Sequence, residues 1–565
     1  MEGAAYRPPR TEGGAARRRT GASWLGRAAA LDPPAMDSQL DHGARPSTDL
    51  VRGGAIHNVS PVDGRALAPL PTTSPEAVKK LVDKARVAQR GWASRSLDDR
   101  SATLVRAAKA ALDRRHEVMA LMREEMGKLE VSALFEVIGP LDQVNAWTAV
   151  IRPALERKKV SLNPIAFPKK SAHVDLSPRG VVGVIAPWNY PVATFYRTLI
   201  PALLCGNAVV VKPSEYATRS ERWLVERFAE ELPPDLVAIA VGDRTTGEAL
   251  VESGVDAIVF TGSIPAGRKV AARCGELLIP CSIELGGKDG AIVLEDCDLD
   301  RTIAGITHWA LDNVGQSCGA VEIAYVDARI ADTFAQRIAG AWKRLRTGDG
   351  APGETDLSPL ANAKQLAIVE AQVADAEKKG AKVLCGGKRT GKGFFFEPTV
   401  IDHCTDAMDV VKDETFGPVL AIVRVDGAAD AMRRISKSRY GLTASIWTRD
   451  HARAQRLAEQ LEVGVVTINN HSVTGAMANL PWSGWRETGT GVANSEHALS
   501  TYLRPKAVLL DRNTDPELYW MPYDKTLWEL GNLLAEAQLF KLGGAWKIPF
   551  LLKKRIDTVR GFFAR

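Results

Sequence analysis

The chain has 565 residues, 45% hydrophobic and 25% charged, a composition that suits a soluble globular protein with room for several domains. Its seven cysteines stand singly with no CxxC pair, which argues against a disulfide framework and for reduced thiols in a cytosol-like, cytoplasmic setting. The net charge of +6 is concentrated after residue 540, where seven Lys and Arg face the single acid Asp557, so the neutral body gives no hint of nucleic acid.

Residues 1–45 carry Arg17-Arg18-Arg19, Gly-Ala stretches and Pro33-Pro34 without a sustained period. They read as a disordered extension, with a transit peptide or a true start at Met36 as the alternatives. From Val51 the pattern becomes regular: 58–64 reads as strand then turn, and 75–130 holds two long helical patterns, with Ala85, Ala88 and Trp92 on one face. The longest apolar stretch, 181–211, is broken by Trp188-Asn189-Tyr190-Pro191 and Arg197, so it reads as strand, helix and strand in a core and not as a membrane span. Strands at 236–241 and 257–260 alternate with helices at 247–253 and 266–274. That alternation predicts a parallel sheet flanked by helices, and a second α/β series follows Glu284 to about residue 490.

Lys212-Pro213-Ser214-Glu215 directly follows the strand 208–211, where residues of an open α/β sheet face the ligand crevice. A carboxylate there can accept both ribose hydroxyls. In Phe260-Thr261-Gly262-Ser263, Gly262 lets backbone approach a diphosphate and Ser263 starts the next helix. Three further residues suit acyl chemistry through a thioester: Cys318 in Gly315-Gln316-Ser317-Cys318, Glu284 in Glu284-Leu285-Gly286-Gly287-Lys288, and Asn189 in Pro187-Trp188-Asn189-Tyr190-Pro191. They supply a soft nucleophile, a base and an amide for an oxyanion. His403-Cys404 lacks further ligands at metal spacing, and no metal is assigned.

Together with Glu414-Thr415-Phe416-Gly417-Pro418, these motifs resemble the aldehyde dehydrogenase superfamily over roughly residues 45–511. The resemblance implies a Rossmann-like cofactor domain (46–163 and 182–285), an α/β catalytic domain (286–490) and a small β oligomerisation element (164–181 and 491–511). It implies NAD(P)-dependent oxidation of a small-molecule aldehyde to a carboxylic acid. Cys318 is then the nucleophile, Asn189 the oxyanion donor and Glu284 the base that activates water. Lys212 and Glu215 take the adenosine ribose, with Glu215 favouring NAD while leaving NADP open. Glu414 takes the nicotinamide ribose and Phe416 backs the ring, while Pro187, Trp188, Gly262 and Ser263 complete the cofactor contacts. Tyr190 and Trp482 line the aldehyde path, and Trp485-Arg486 is a candidate for an anionic tail. A strand at 507–510 and a hairpin near 160–180 imply a homodimer or dimer of dimers, with pairing inside one subunit as the alternative.

Departures from the family pattern are Thr198 where a lysine is common, Glu322-Ile323 where an arginine often follows the glutamate, and Gly489-Thr490-Gly491-Val492 where many relatives have Arg-Glu. A coenzyme-A-acylating relative and a catalytically silent scaffold are the other readings; the presence of Glu284 speaks against the first and the intact Cys-Glu-Asn set against the second. Beyond Asp511, residues 512–565 form a basic amphipathic tail with a helix expected at 526–540. Its mixture of Trp, Phe and Lys suits peripheral membrane contact or an acidic partner, the alternative being a helix folded back on its own subunit.

Overall fold

Short Val- and Ile-rich strands buried on both faces are what a parallel sheet covered by helices requires. The computed structural model describes residues 50–164 and 166–564 and contains two such sheets. The 1–45 extension lies outside the described residues.

A small antiparallel sheet of three two-residue strands (Val51–Arg52, Ala55–Ile56 and Leu70–Pro71) precedes five helices: α1 (Pro75–Ala93), α2 (Leu97–Asp113), α3 (Arg115–Met126), α4 (Glu130–Val137) and α5 (Pro140–Leu155). The two patterns expected between 75 and 130 are three helices. Ser96 caps α2 by accepting from the Asp99 N–H, and Arg114 interrupts the run before α3. Two strands follow, β1 (Lys158–Val160) and β2 (Lys170–Pro178). Then come β3 (Val181–Ile185), α6 (Pro191–Leu204), β4 (Ala208–Lys212), α7 (Thr218–Ala229), β5 (Val237–Ile239), α8 (Arg244–Glu252), β6 (Ala257–Thr261), α9 (Ile264–Glu276) and β7 (Cys281–Glu284).

The first large sheet is parallel, in the order β7-β6-β3-β4-β5. The chain runs outward from β3 to β5 and returns on the other side of β3 as β6, so the order switches there. A crevice opens at such a point beyond the carboxyl ends of the strands. The segments after β3, β4 and β6, and Glu284 at the end of β7, all lie at those ends.

The second sheet holds β8 (Asp289–Val293), β9 (Val321–Asp327), β10 (Lys382–Cys385), β11 (Thr399–Asp402), β12 (Val419–Val425), β13 (Thr443–Trp447) and β14 (Val465–Ile468). Its order is β10-β11-β12-β9-β8-β13-β14, parallel except for β10 against β11. Each sheet anchors its own hydrophobic core. The third sheet pairs β15 (Leu503–Asp511) antiparallel with β2 over nine positions, with β1 on the far side of β2. The strand expected at 507–510 therefore pairs within the chain, and among the described residues its outer edge is open. The tail forms α11 (Lys525–Gln538) and α12 (Ile548–Phe563), and no described helix is long and apolar enough to cross a membrane. The label α10 belongs to Leu299–Leu311, which leads into the Cys318 loop.

Helix α6 is fastened at both ends. Its first N–H groups, Val192 and Ala193, donate to Glu136 Oε1 at 2.7 and 3.0 Å. At the other end the Trp92 indole and Arg100 Nε donate to the carbonyls of Leu203 (2.8 Å) and Leu204 (2.9 Å), satisfying groups that a helix end leaves orphaned. Glu136 forms a buried ion pair with Lys128, which also donates to the Asn189 carbonyl at 3.0 Å.

Lys128→Met strands the Glu136 charge in the interior and should cost about 3–5 kcal/mol. The lower melting temperature should be partly restored in Lys128→Met/Glu136→Gln, because the amide oxygen still accepts from α6 without needing a counter-charge. Thermal denaturation followed by circular dichroism measures both.

Candidate active site

The loop carrying Cys318 is held in an uncommon conformation by its neighbours. Beyond α10, Asn313 (φ 50°), Val314 (φ 60°) and Gly315 (φ 71°) all lie in the left-handed region, which a β-branched valine rarely adopts. Strain of that kind persists when surrounding contacts over-determine it. Asn313 Nδ2 donates to the carbonyls of Asn189 (2.9 Å) and Gln316 (3.1 Å). The Gln316 side chain donates to Asn313 O and accepts from the Ala361 N–H at 2.9 Å. A Cβ at Gly315 would stand 2.2 Å from the Gly417 carbonyl, so only glycine allows this approach. The result is a half-buried Cys318 packed against Trp482.

Asn189 lies between β3 and α6 and is 5% exposed. One N–H of its side-chain amide donates to Gln316 O at 3.0 Å, and an amide nitrogen carries two. Tyr190, next in sequence, donates its hydroxyl to Asp312 Oδ2 at 2.6 Å, and its ring lies beneath Lys128 at 4.5 Å. Its polar end is thus engaged by the protein.

Glu284 ends β7 with its carboxylate 3.0 Å from Arg197 Nη2. Burial raises the Glu284 carboxyl above its ordinary range, and Arg197 opposes the rise. Burial also pushes the Cys318 thiol up to about 12, with Arg197 pulling it down and the carboxylates of Glu284, Asp289 and Glu414 adding to the push. Arg197 is thus the cation that favours the ionised form of both groups. Its guanidinium lies 6.0 Å from the Trp482 ring, so one cation stands among Glu284, Cys318 and Trp482.

Sequence reasoning missed Arg197, although a lone charge inside the apolar helix 191–204 was a signal for it. Thr198, in the position of the family lysine, turns its hydroxyl back to the Thr194 and Phe195 carbonyls at 3.1 Å and faces no reacting group. Arg486, expected as an anchor for an anionic tail, donates to Glu462 at 2.7 Å and to Tyr440 O at 3.0 Å. It is committed to clamping the 438–441 turn, and Arg197 is the cation that faces Cys318.

The crevice fits a nicotinamide dinucleotide. Lys212 is buried with its ammonium 3.4 Å from Glu215, whose side chain is partly exposed at the crevice. Ser263 precedes α9, its hydroxyl makes no capping bond, and the first turn of a helix offers unpaired N–H groups to a diphosphate. The Gly262 N–H donates to the Glu284 carbonyl at 3.1 Å, tying the loop before α9 to the end of β7. Glu414 accepts from the Gly287 N–H at 3.1 Å, and a Cβ at Gly286 would stand 2.2 Å from Glu414 Oε1. Burial, with Glu322 nearby, raises the Glu414 carboxyl to about 8. Trp188, following Pro187, meets Phe416 edge-to-face at 5.4 Å.

Glu322 was noted in the sequence only as a departure, yet it sets this loop. Its carboxylate accepts the N–H groups of Thr415 (2.8 Å) and Phe416 (2.7 Å) and pairs with buried Lys288. Phe416 is held at φ 51°, a left-handed conformation that these bonds stabilise.

The aldehyde dehydrogenase family model matches residues 51–508. A 4,4'-diapolycopene aldehyde oxidase of Methylomonas sp is 35% identical over 477 residues, covering 84% of this chain and 89% of that protein. A putative succinate-semialdehyde dehydrogenase [NADP(+)] of Mycolicibacterium smegmatis is 34% identical, covering 82% and 90%. The crystal structure of lactaldehyde dehydrogenase from Escherichia coli superposes with a TM-score of 0.77 at 31% identity, covering 81% of this chain and 96% of that one. The chain therefore belongs to the aldehyde dehydrogenase family: it is an oxidoreductase that converts an aldehyde to a carboxylic acid with NAD or NADP as acceptor.

A base works in its ionised form, so with Glu284 activating water for thioester hydrolysis kcat should fall as pH drops through its raised pKa. Arg197→Gln removes the charge that holds down both Glu284 and Cys318. The acid limb of the pH profile should then move to higher pH by about one unit or more. Steady-state rates across pH for both proteins check this.

Proposed function

We propose that Cys318, Asn189 and Glu284 carry the oxidation, in that order. The Cys318 thiolate attacks the aldehyde carbon, forming the C–S bond and placing negative charge on the former carbonyl oxygen. The free N–H of the Asn189 amide and the Cys318 backbone N–H receive that oxygen, a stabilisation of about 3–4 kcal/mol in a water-poor site. A dinucleotide held in the crevice would supply the hydride acceptor, so that loss of hydride from the former aldehyde carbon leaves a thioester on Cys318. Glu284 then takes a proton from water, the hydroxide attacks the thioester carbon, and the acid leaves as the sulfur regains its proton. The pairing of Arg197 with Glu284 at 3.0 Å, beside the half-buried thiol, carries this reading.

Lys212 and Glu215 hold the adenosine ribose in this proposal, and the Glu215 carboxylate disfavours a 2′-phosphate, giving NAD preference over NADP. Glu414 holds the nicotinamide ribose against the Trp188–Phe416 pair. The division into cofactor, catalytic and bridging regions belongs to this proposal, with Lys158–Val160 joining the bridging sheet, and the open edge of β15 supports a homodimer or dimer of dimers. Trp188, Tyr190 and Trp482 favour aliphatic or aromatic aldehydes. Semialdehydes are a second reading, because the buried Nε of Arg197 has no hydrogen-bond partner and an anionic tail would provide one. A reducing, cytoplasmic setting suits seven unpaired cysteines, and the C-terminal tail adds a peripheral contact with a membrane surface.

NADH formation by the purified chain against aliphatic, aromatic and semialdehyde substrates tests the proposal. Turnover without coenzyme A, release of free acid, its loss in Cys318→Ala and a higher kcat/KM with NAD than NADP are expected. Acid that forms only when coenzyme A is supplied would remove the role given to Glu284.

A further inference from the structure

The 512–564 tail has an inner face that is held to its own subunit and an outer face that is not. Lys170 of β2 pairs with Asp511 at 2.9 Å and with Glu517, and Asn513 Nδ2 donates to Pro168 O at 2.9 Å. Inside the hairpin, Leu530, Leu551 and Val559 are buried around a fully buried Arg555. That guanidinium donates to the carbonyls of Leu518 (2.8 Å) and Trp520, and it lies 3.4 Å from Asp524. Arg555 and Leu551 therefore spend the inner helix face of α12 on positioning.

What remains outside is unusual for a water-facing surface. Trp528, Phe540, Trp546, Phe550, Phe562 and Phe563 are each more than half exposed, Phe540 reaching 90%. Lys541, Lys547, Lys553 and Lys554 stand among them exposed, with no acidic partner among the described residues. The alternative of a helix folded back to bury its apolar residues is met by aliphatic side chains, Leu530, Leu551 and Val559 buried and Leu527, Leu533, Ile548, Leu552 and Ile556 in part, and not by these aromatic rings.

Aromatic rings with a polar edge beside lysines are the composition that seats a helix in the headgroup layer. No described helix can cross a bilayer, so such a surface lies on it. A second copy of the chain fits this face poorly, since a two-fold contact would oppose the four lysines to themselves, and lysine is depleted at protein interfaces. An anionic lipid surface satisfies both components at once, each lysine near it adding attraction.

We infer that the α11–α12 hairpin is a monotopic docking surface for an anionic lipid bilayer, with Trp546 and Phe550 entering the headgroup layer and Lys541, Lys547, Lys553 and Lys554 holding the surface charge. This deepens the membrane contact proposed above and rests on that reading alone, since the catalytic assignments do not enter it.

The test is flotation of the full-length chain with vesicles of phosphatidylcholine alone and of phosphatidylcholine with phosphatidylglycerol. Binding should be at least about tenfold stronger to the anionic vesicles and should weaken steeply with salt. Trp546→Ser/Phe550→Ser and Lys553→Gln/Lys554→Gln should each reduce it severalfold while leaving NADH formation from a water-soluble aldehyde at the wild-type rate, which also shows that the variants fold. Equal binding to both vesicles, no binding to either, or variants that bind normally would overturn the inference. So would a higher oligomer, seen by light scattering, that needs Trp546 and Phe550, because it would make a second copy the occupant. A chain that floats but oxidises no aldehyde would contradict the catalytic reading and leave the docking surface standing.

Discussion

Glu136 is buried beside Lys128, and its two oxygens divide between that ammonium and the first N–H groups of α6. A buried carboxylate has to be paired and hydrogen-bonded, and at a helix N-terminus the dipole adds to its welcome. Lys128 is thereby drawn to the point where it can also reach the Asn189 carbonyl, which Asn313 of the Cys318 loop shares. One ion pair thus locks the start of α6, the Asn189 backbone and the Cys318 loop into a single unit. The same device recurs around the crevice. Glu125 accepts the Arg219 and Ser220 N–H groups at the start of α7, burial raising its carboxyl to about 7, and Glu322 accepts those of Thr415 and Phe416. Two carboxylates from the neighbouring helices α3 and α4, and a third from β9, thus fix the starts of α6 and α7 and the 415–416 loop.

The site also has to solve an electrostatic conflict. Burial shelters a thioester from stray water, but it disfavours the charged forms of both a thiol and a carboxyl. Placing Glu284 near Cys318 makes the thiolate still harder to form. Arg197 offsets both effects from one position, and it can do so because it leaves α6 two turns after Asn189 on a helix whose ends are already fastened. Its cost is a buried guanidinium nitrogen without a partner.

Much of this was legible in the sequence because it is local. Strand 208–211 reads directly from consecutive apolar residues, and the crevice follows from strands alternating with helices. The Cys318, Glu284 and Asn189 motifs are short and carry their chemistry in residue type. What the sequence did not disclose is pairing across distance. Glu136 and Lys128 look like ordinary helix charges, and Glu322 looks like one more acid in a strand; only burial gives them meaning. The single gap expected between 75 and 130 became two, because Ser96 and Arg114 interrupt the helical period without a Gly or Pro to announce it. The tail was legible as amphipathic, but which face turned inward depended on Arg555, a charge that a periodicity argument assigns to solvent.

The most direct measurement of the central claim is the mass of the Cys318 peptide after Glu284→Gln is mixed with aldehyde and NAD and quenched in acid within one turnover. A thioester mechanism with Glu284 as the hydrolytic base predicts an acyl adduct on Cys318 at close to one per subunit, with a matching burst of NADH and little free acid. An unmodified Cys318 accompanied by free acid at the wild-type rate would contradict it.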